Sequence, residues 1–162
     1  MNTQTTDTGV RQVEPVAELR QFRTLDRADY EDAFIVDVGS ARTRTAGQWM
    51  RAVLEEAPTK IRVQLLAGWT ALGLKLSLPG SDGAILGWRV RSEDDDLVLL
   101  GADSRIGMPA ELILRRDGHE LLFATLVRQE NPVARAMWAS IEATHVRTVR
   151  TILELASRRA VG

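Results

Sequence analysis

Few residues of this sequence could do chemistry. It contains no cysteine and only two histidines, which removes disulfides, thiolate metal sites and cysteine nucleophiles together. His145 is the more informative histidine, because it interrupts the apolar face of a long C-terminal segment. An imidazole placed there could donate to a ligand oxygen or work as a general acid or base. A buried imidazole needs a partner, and an acid such as Asp103, Glu111 or Asp37 would supply one. The structural alternative, a histidine bonded to a backbone carbonyl or a nearby acid, is preferred, and no catalytic residue is assigned. His119 follows Asp117-Gly118 and should be solvated; two histidines this far apart, without an acid at helical ligand spacing, make no metal site. The run Glu93-Asp94-Asp95-Asp96 lacks the alternation and central glycine of a calcium loop and reads as a turn. Nucleophile elbow, phosphate-binding loop and dinucleotide fingerprint are all absent.

Aromatic residues carry more information than polar ones. Trp49, Trp69, Trp88 and Trp138 stand out in a chain with three Phe and one Tyr. Trp88 and Trp138 should point inward, either as core or as the wall of a pocket with an indole N–H for orientation. Trp49 and Trp69 lie on helix faces that need apolar anchors in any case. Arg89, Arg91, Arg115 and Arg128 fall on strands and should mostly face solvent, although one turned inward could bind a carboxylate.

The elements that must position these residues follow from periodicity. Asn131 to Ala160 reads as one amphipathic helix, capped by Asn131 and started by Pro132. At about 100° per residue, Ala134, Met137, Trp138, Ile141, His145, Thr148, Val149, Ile152, Leu155 and Ala156 share a face. Arg135, Glu142, Arg147, Arg150 and Arg158 fall away from it. About 28 residues at 1.5 Å each span about 42 Å, enough to cross a small domain. Upstream, Tyr30 to Val38 is the first strand, and Gly39-Ser40 closes it. Two helices follow, Ala46 to Glu56 capped by Thr45, and Thr59 to about Leu74 started by Pro58. After a loop from Leu78 to Gly83 come four strands: Ile85 to Arg91, Leu97 to Ala102, Pro109 to Arg116 and Glu120 to Gln129. Short connections make them an antiparallel meander, with Asp117-Gly118 as a hairpin turn. Residues 1–14 are polar and aperiodic and read as a disordered tail. Pro15 to Arg27, with Leu19, Phe22 and Leu25 three apart, fits either a short helix or an ordered arm.

A chain of 162 residues with 44% hydrophobic content forms one domain, assigned to 15–162, with a real core. A net charge of -1 leaves no basic footprint for nucleic acid. No secretory signal and no membrane span are expected, so the chain reads as cytoplasmic.

The order of strand, helix pair, meander and long helix resembles the helix-grip fold of the START, polyketide-cyclase and pollen-allergen superfamily, often labelled SRPBCC. More narrowly it is similar to a bacterial family known only as a domain of unknown function. The residues that carry the resemblance are Asp29-Tyr30-Glu31-Asp32-Ala33-Phe34, Leu97-Val98-Leu99-Leu100-Gly101, Thr125-Leu126-Val127-Arg128 with Asn131-Pro132, then Trp138 and His145. Relatives usually have six strands after the helix pair, where this sequence shows four; a strand hidden in Ser77 to Gly83 or Ser104 to Met108 would narrow the gap. The expected fold is α+β, a curved antiparallel sheet wrapped around the C-terminal helix. The resemblance implies a pocket between sheet and helix for a small hydrophobic ligand, lipid or polyketide-like, lined by Trp88, Trp138, Ile141, His145 and Val149. No cofactor or metal is implied. A cyclase or hydrolase using the same cavity, or an interaction domain with a filled core and a sheet edge open to a partner or homodimer, are the alternatives.

Overall fold

Why the strands are so apolar becomes clear once both sheet faces are seen to be covered. The structure, a computed structural model, describes residues 9–78 and 80–161. Its strands are β1 (Arg11–Val13), β2 (Tyr30–Asp37), β3 (Ala84–Ile85), β4 (Trp88–Glu93), β5 (Leu97–Ala102), β6 (Ala110–Asp117) and β7 (Glu120–Val127). Its helices are α1 (Ala46–Leu54), α2 (Thr59–Ala71) and α3 (Pro132–Val161). The strands form one antiparallel sheet in the order β1-β2-β7-β6-β5-β4-β3. The architecture is α+β, a curved sheet with the long α3 packed on its inner face, as the element order predicts.

Alternation assigns each strand residue to a face. Phe34 and Val36 of β2, Val98 and Leu100 of β5, Leu112 and Leu114 of β6, and Leu121 and Phe123 of β7 join the inner core with the three helices. The opposite residues, Ala33, Leu97, Leu99, Ile113, Leu122, Ala124 and Leu126, form a second core on the outer face. Leu19 and Leu25 cover that face. The segment 15–28 is therefore the ordered arm, with only a 3₁₀ turn at Ala17–Gln21. Phe22, offset from Leu19 and Leu25, stays exposed.

Local chemistry sets the helix starts where sequence predicts, while α1 and α2 end a turn or less earlier, at Leu54 and Ala71. Thr45 Oγ1 accepts from the Gln48 amide while the Gln48 side chain accepts from the Thr45 amide, a reciprocal capping box. Asn131 Oδ1 accepts from the Ala134 amide at 2.8 Å, so Asn131 caps α3. Residue 73 ends the α2 segment earlier than Leu74, because Gly73 takes a φ of 76°.

Three expectations need correction. First, residues 1–8 of the expected tail lie outside the described residues, but Arg11–Val13 pairs with β2, Arg11 opposite Ile35, and Arg150 Nη1 donates to the Val10 carbonyl at 2.9 Å. The unpaired edge of β2 supplies order that local composition lacks. Second, Ile85 to Arg91 is not one strand. Leu86 and Gly87, at φ 46° and 89°, make a two-residue turn that pairs Ile85 with Trp88. Five strands thus follow the helix pair. Third, Arg150 does not fall away into solvent; its guanidinium lies over the buried Phe34 ring, 5.5 Å from the centroid.

The acidic run is a turn. Asp94 Oδ1 accepts from the amides of Asp96 and Leu97, and the Asp95 carbonyl accepts from the Ala46 amide at the start of α1. Among the described residues no helix is long and apolar enough to cross a membrane.

Candidate functional site

A cavity of about 560 Å³ opens between α2, α3 and the inner face of the sheet. Its size falls within the range of small-molecule sites, about 300–1,000 Å³. Leu112 and Phe123 floor it, Trp69 and Leu72 come from α2, and Ile141 and Ile152 from α3. Gln64, Gly68 and Ala71 of α2 and Thr144 of α3 also line it yet are exposed, so they mark its mouth. The sequence-predicted residues Trp88, Trp138, Ile141, His145 and Val149 all stand on its wall. Trp69, read from sequence as a plain helix anchor, stands there too, edge-on to Trp88 with centroids 5.4 Å apart. Trp49 is the anchor of the set: it is buried and donates Nε1–H to the Ala41 carbonyl at 2.7 Å.

His145 has a carboxylate partner, but none of the three acids suggested by sequence. Its Nε2 lies 2.8 Å from Asp32 Oδ2, and the Asp32 side chain is 1% exposed. Tyr30 Oη donates to the same oxygen at 2.6 Å, and the Thr125 amide donates to Asp32 Oδ1 at 3.2 Å. Burial first, then the bond to Asp32, holds the Tyr30 phenol far above its ordinary pKa, so it remains a proton donor. Trp138 roofs the group, 4.8 Å from the Tyr30 ring and 5.0 Å from His145.

Each rejected acid has another place. Asp103 is exposed and pairs with Arg91 at 3.3 Å. Asp37 lies 3.7 Å from the exposed His119, and its carbonyl accepts from Ser157 Oγ. Glu111 is fully buried on the outer face, where it accepts from the amides of Thr24 and Leu25 and from Arg91 Nη1. Arg91 is thus a strand arginine that binds a buried carboxylate, though on the face away from the cavity. Asp32 was legible by a period-two count: Tyr30, Asp32, Phe34 and Val36 share a face of β2. The same count along β7 groups Thr125 with Leu121, Phe123 and Val127.

Five buried side-chain polar atoms among the described residues have no hydrogen-bond partner: Trp88 Nε1, Trp138 Nε1, Thr125 Oγ1, and the Nε atoms of Arg62 and Arg128. The first three belong to side chains that line the cavity. Buried polar groups are ordinarily satisfied, so this concentration around one cavity is informative. No set of His, Asp and Glu among the described residues could hold a metal ion.

No protein-family model matches the sequence, and no curated protein does. Among solved structures, CalU16 from Micromonospora echinospora is similar at a TM-score of 0.42 and 9% identity, with 94% of this chain and 93% of that chain covered.

Proposed function

We propose that this chain is a helix-grip protein of the SRPBCC kind that binds a small, mainly apolar molecule, lipid or polyketide-like, in the cavity between sheet and α3. The observation that carries this reading is the coincidence of cavity and orphaned polar atoms. A filled core would have excluded Trp88 Nε1, Trp138 Nε1 and Thr125 Oγ1 or paired them, since leaving each unmade costs about 1–3 kcal/mol. Here all three belong to side chains that line the cavity. The reading extends to a cytoplasmic protein, in keeping with its lack of cysteine.

Native mass spectrometry of freshly purified protein, followed by solvent extraction, tests the assignment. A reproducible adduct of lipid or polyketide mass is the expected result. A bare mass, together with no change of tryptophan fluorescence across a panel of hydrophobic probes, would remove it.

The contact between His145 and Asp32 favours a second reading, acid–base catalysis on the bound molecule. An imidazole oriented by a buried carboxylate has the geometry of a general base. Saturable, His145-dependent ring opening of nitrobenzisoxazole, a generic test of a base in an apolar pocket, would support it. Binding without turnover would leave the carrier reading alone.

A further inference from the structure

We infer that the cavity selects an uncharged ligand carrying acceptor oxygens, such as a ketone, ester or lactone, and excludes the carboxylate of the same skeleton. The inference rests on the cavity being a ligand site, and deepens it by naming the chemistry recognised.

None of the side chains that line the cavity is Lys, Arg, Asp or Glu. An ionised group buried without a counter-charge is costly, and this wall offers no fixed cation. The unpaired groups are two indole N–H donors, which cannot accept, and one hydroxyl, which can do either. A carbonyl oxygen satisfies such donors without bringing charge. The one titratable lining residue, His145, is already committed: Nε2 faces the Asp32 carboxylate, so a proton there neutralises Asp32 rather than a ligand. Asp32 accepts from the Tyr30 hydroxyl and the Thr125 amide and lies directly behind Thr125 and His145, 2.8 Å from His145 Nε2. A second carboxylate on the cavity side would face that buried anion across a low-dielectric gap.

Two α3 arginines close to the inner core are also occupied. Arg150 donates to the Val10 carbonyl and Arg159 to the Ala52 carbonyl. Neither lines the cavity. A phosphate would meet the same obstacles, so the chemistry favoured is that of a neutral oxygenated ring system or ester, not a headgroup.

Two fluorescent probes that differ only in charge, the methyl ester of pyrenebutyrate and pyrenebutyrate itself, decide the matter. Binding to the intact chain at mildly alkaline pH is followed by pyrene emission and tryptophan quenching. The ester should bind at least tenfold more tightly than the acid. Trp138→Phe, which removes one indole N–H and keeps most of the ring, should weaken the ester several-fold and the acid little. Gly68→Phe, at a mouth position where an added Cβ meets nothing within 4 Å, should abolish binding of the ester without lowering the temperature of thermal unfolding. An acid that binds as well as the ester overturns the inference and leaves the cavity a ligand site. An ester preference that survives Gly68→Phe undiminished also overturns it, because the selective site then lies elsewhere. If neither probe binds, the ligand reading fails first and the inference with it.

Discussion

The two faces of the sheet treat buried polar groups in opposite ways. On the outer face, the fully buried Glu111 carboxylate receives the Thr24 and Leu25 amides, the Thr24 hydroxyl and Arg91. Both oxygens of that carboxylate are used, and the one unpaired atom near this face, Arg128 Nε, belongs to a guanidinium already bonded to Asp26 and Glu130. Gly101 even gives up its side chain for the arrangement: a Cβ would lie 2.1 Å from Arg91 Nε. On the inner face, next to an equally apolar core, three polar atoms are buried without partners. One face has spent its polar groups on folding, and the other holds some in reserve. Under the proposed reading, the difference would separate residues that serve stability from residues that serve a ligand.

Removing Glu111 should have the largest effect. Glu111→Ala strands the Thr24 and Leu25 amides and leaves Arg91 with Asp103 as its carboxylate partner; a buried donor left unmade costs about 1–3 kcal/mol. Urea unfolding should show the loss, and limited proteolysis should cut first within residues 15–28. A fully protected arm in the variant would mean that the apolar contacts of Leu19 and Leu25 hold it unaided.

Tyr30 offers a pH signature on the inner face. Its folded-state pKa is raised, chiefly by burial, above the ordinary value of 10.0. The folded state therefore holds the proton more tightly than the unfolded chain. That contribution is fully present below pH 10 and is lost as pH rises towards the folded value. Unfolding free energy should fall with pH in this window for the natural chain, and much less for Tyr30→Phe. Equal slopes would show that the phenol is not the group responsible.

The sharpest contrast with Glu111 comes from Thr125. Its hydroxyl has no partner, while its amide, retained in any substitution, serves Asp32. Thr125→Val should therefore raise stability by about 1 kcal/mol while weakening binding of an ester probe. A destabilised variant would show that the hydroxyl is satisfied in solution, and would blur the distinction between the faces. Gly68→Ala should have the smallest effect, a gain of about 0.5–1 kcal/mol from helix propensity. Chemical denaturation measures it, and a loss would indicate that the mouth of the cavity is closed over that position.

Much of this was legible in the sequence. The face of α3 that carries Trp138, Ile141, His145 and Val149 follows from a single period, its cap from Asn131, and the cap of α1 from Thr45. What escaped depended on pairing between distant segments. Arg11–Val13 has too little local preference to declare itself, because its order comes from the edge of β2. The hairpin at Leu86-Gly87 was hidden because a leucine in a left-handed turn looks like one more apolar residue of a strand. Asp32 does not declare itself because its place beneath α3 depends on β2 pairing with β7, which no local feature of Tyr30–Asp37 encodes. Whether apolar positions enclose a space or fill it is set by how far α2 stands from the sheet, which composition does not encode.

The position of β2 also dictates a sequence of events during synthesis. Its register partners on β7 lie more than 80 residues further along the chain, from Asp37 with Glu120 to Tyr30 with Val127. The pairs of the meander are far closer in sequence, so their loops close at lower entropic cost. β2 therefore leaves the ribosome early and waits, with only β1 beside it, until β7 is complete. Only then can the arm settle on the outer face and Asp32 meet His145, so the last contacts to form are those that define the candidate site.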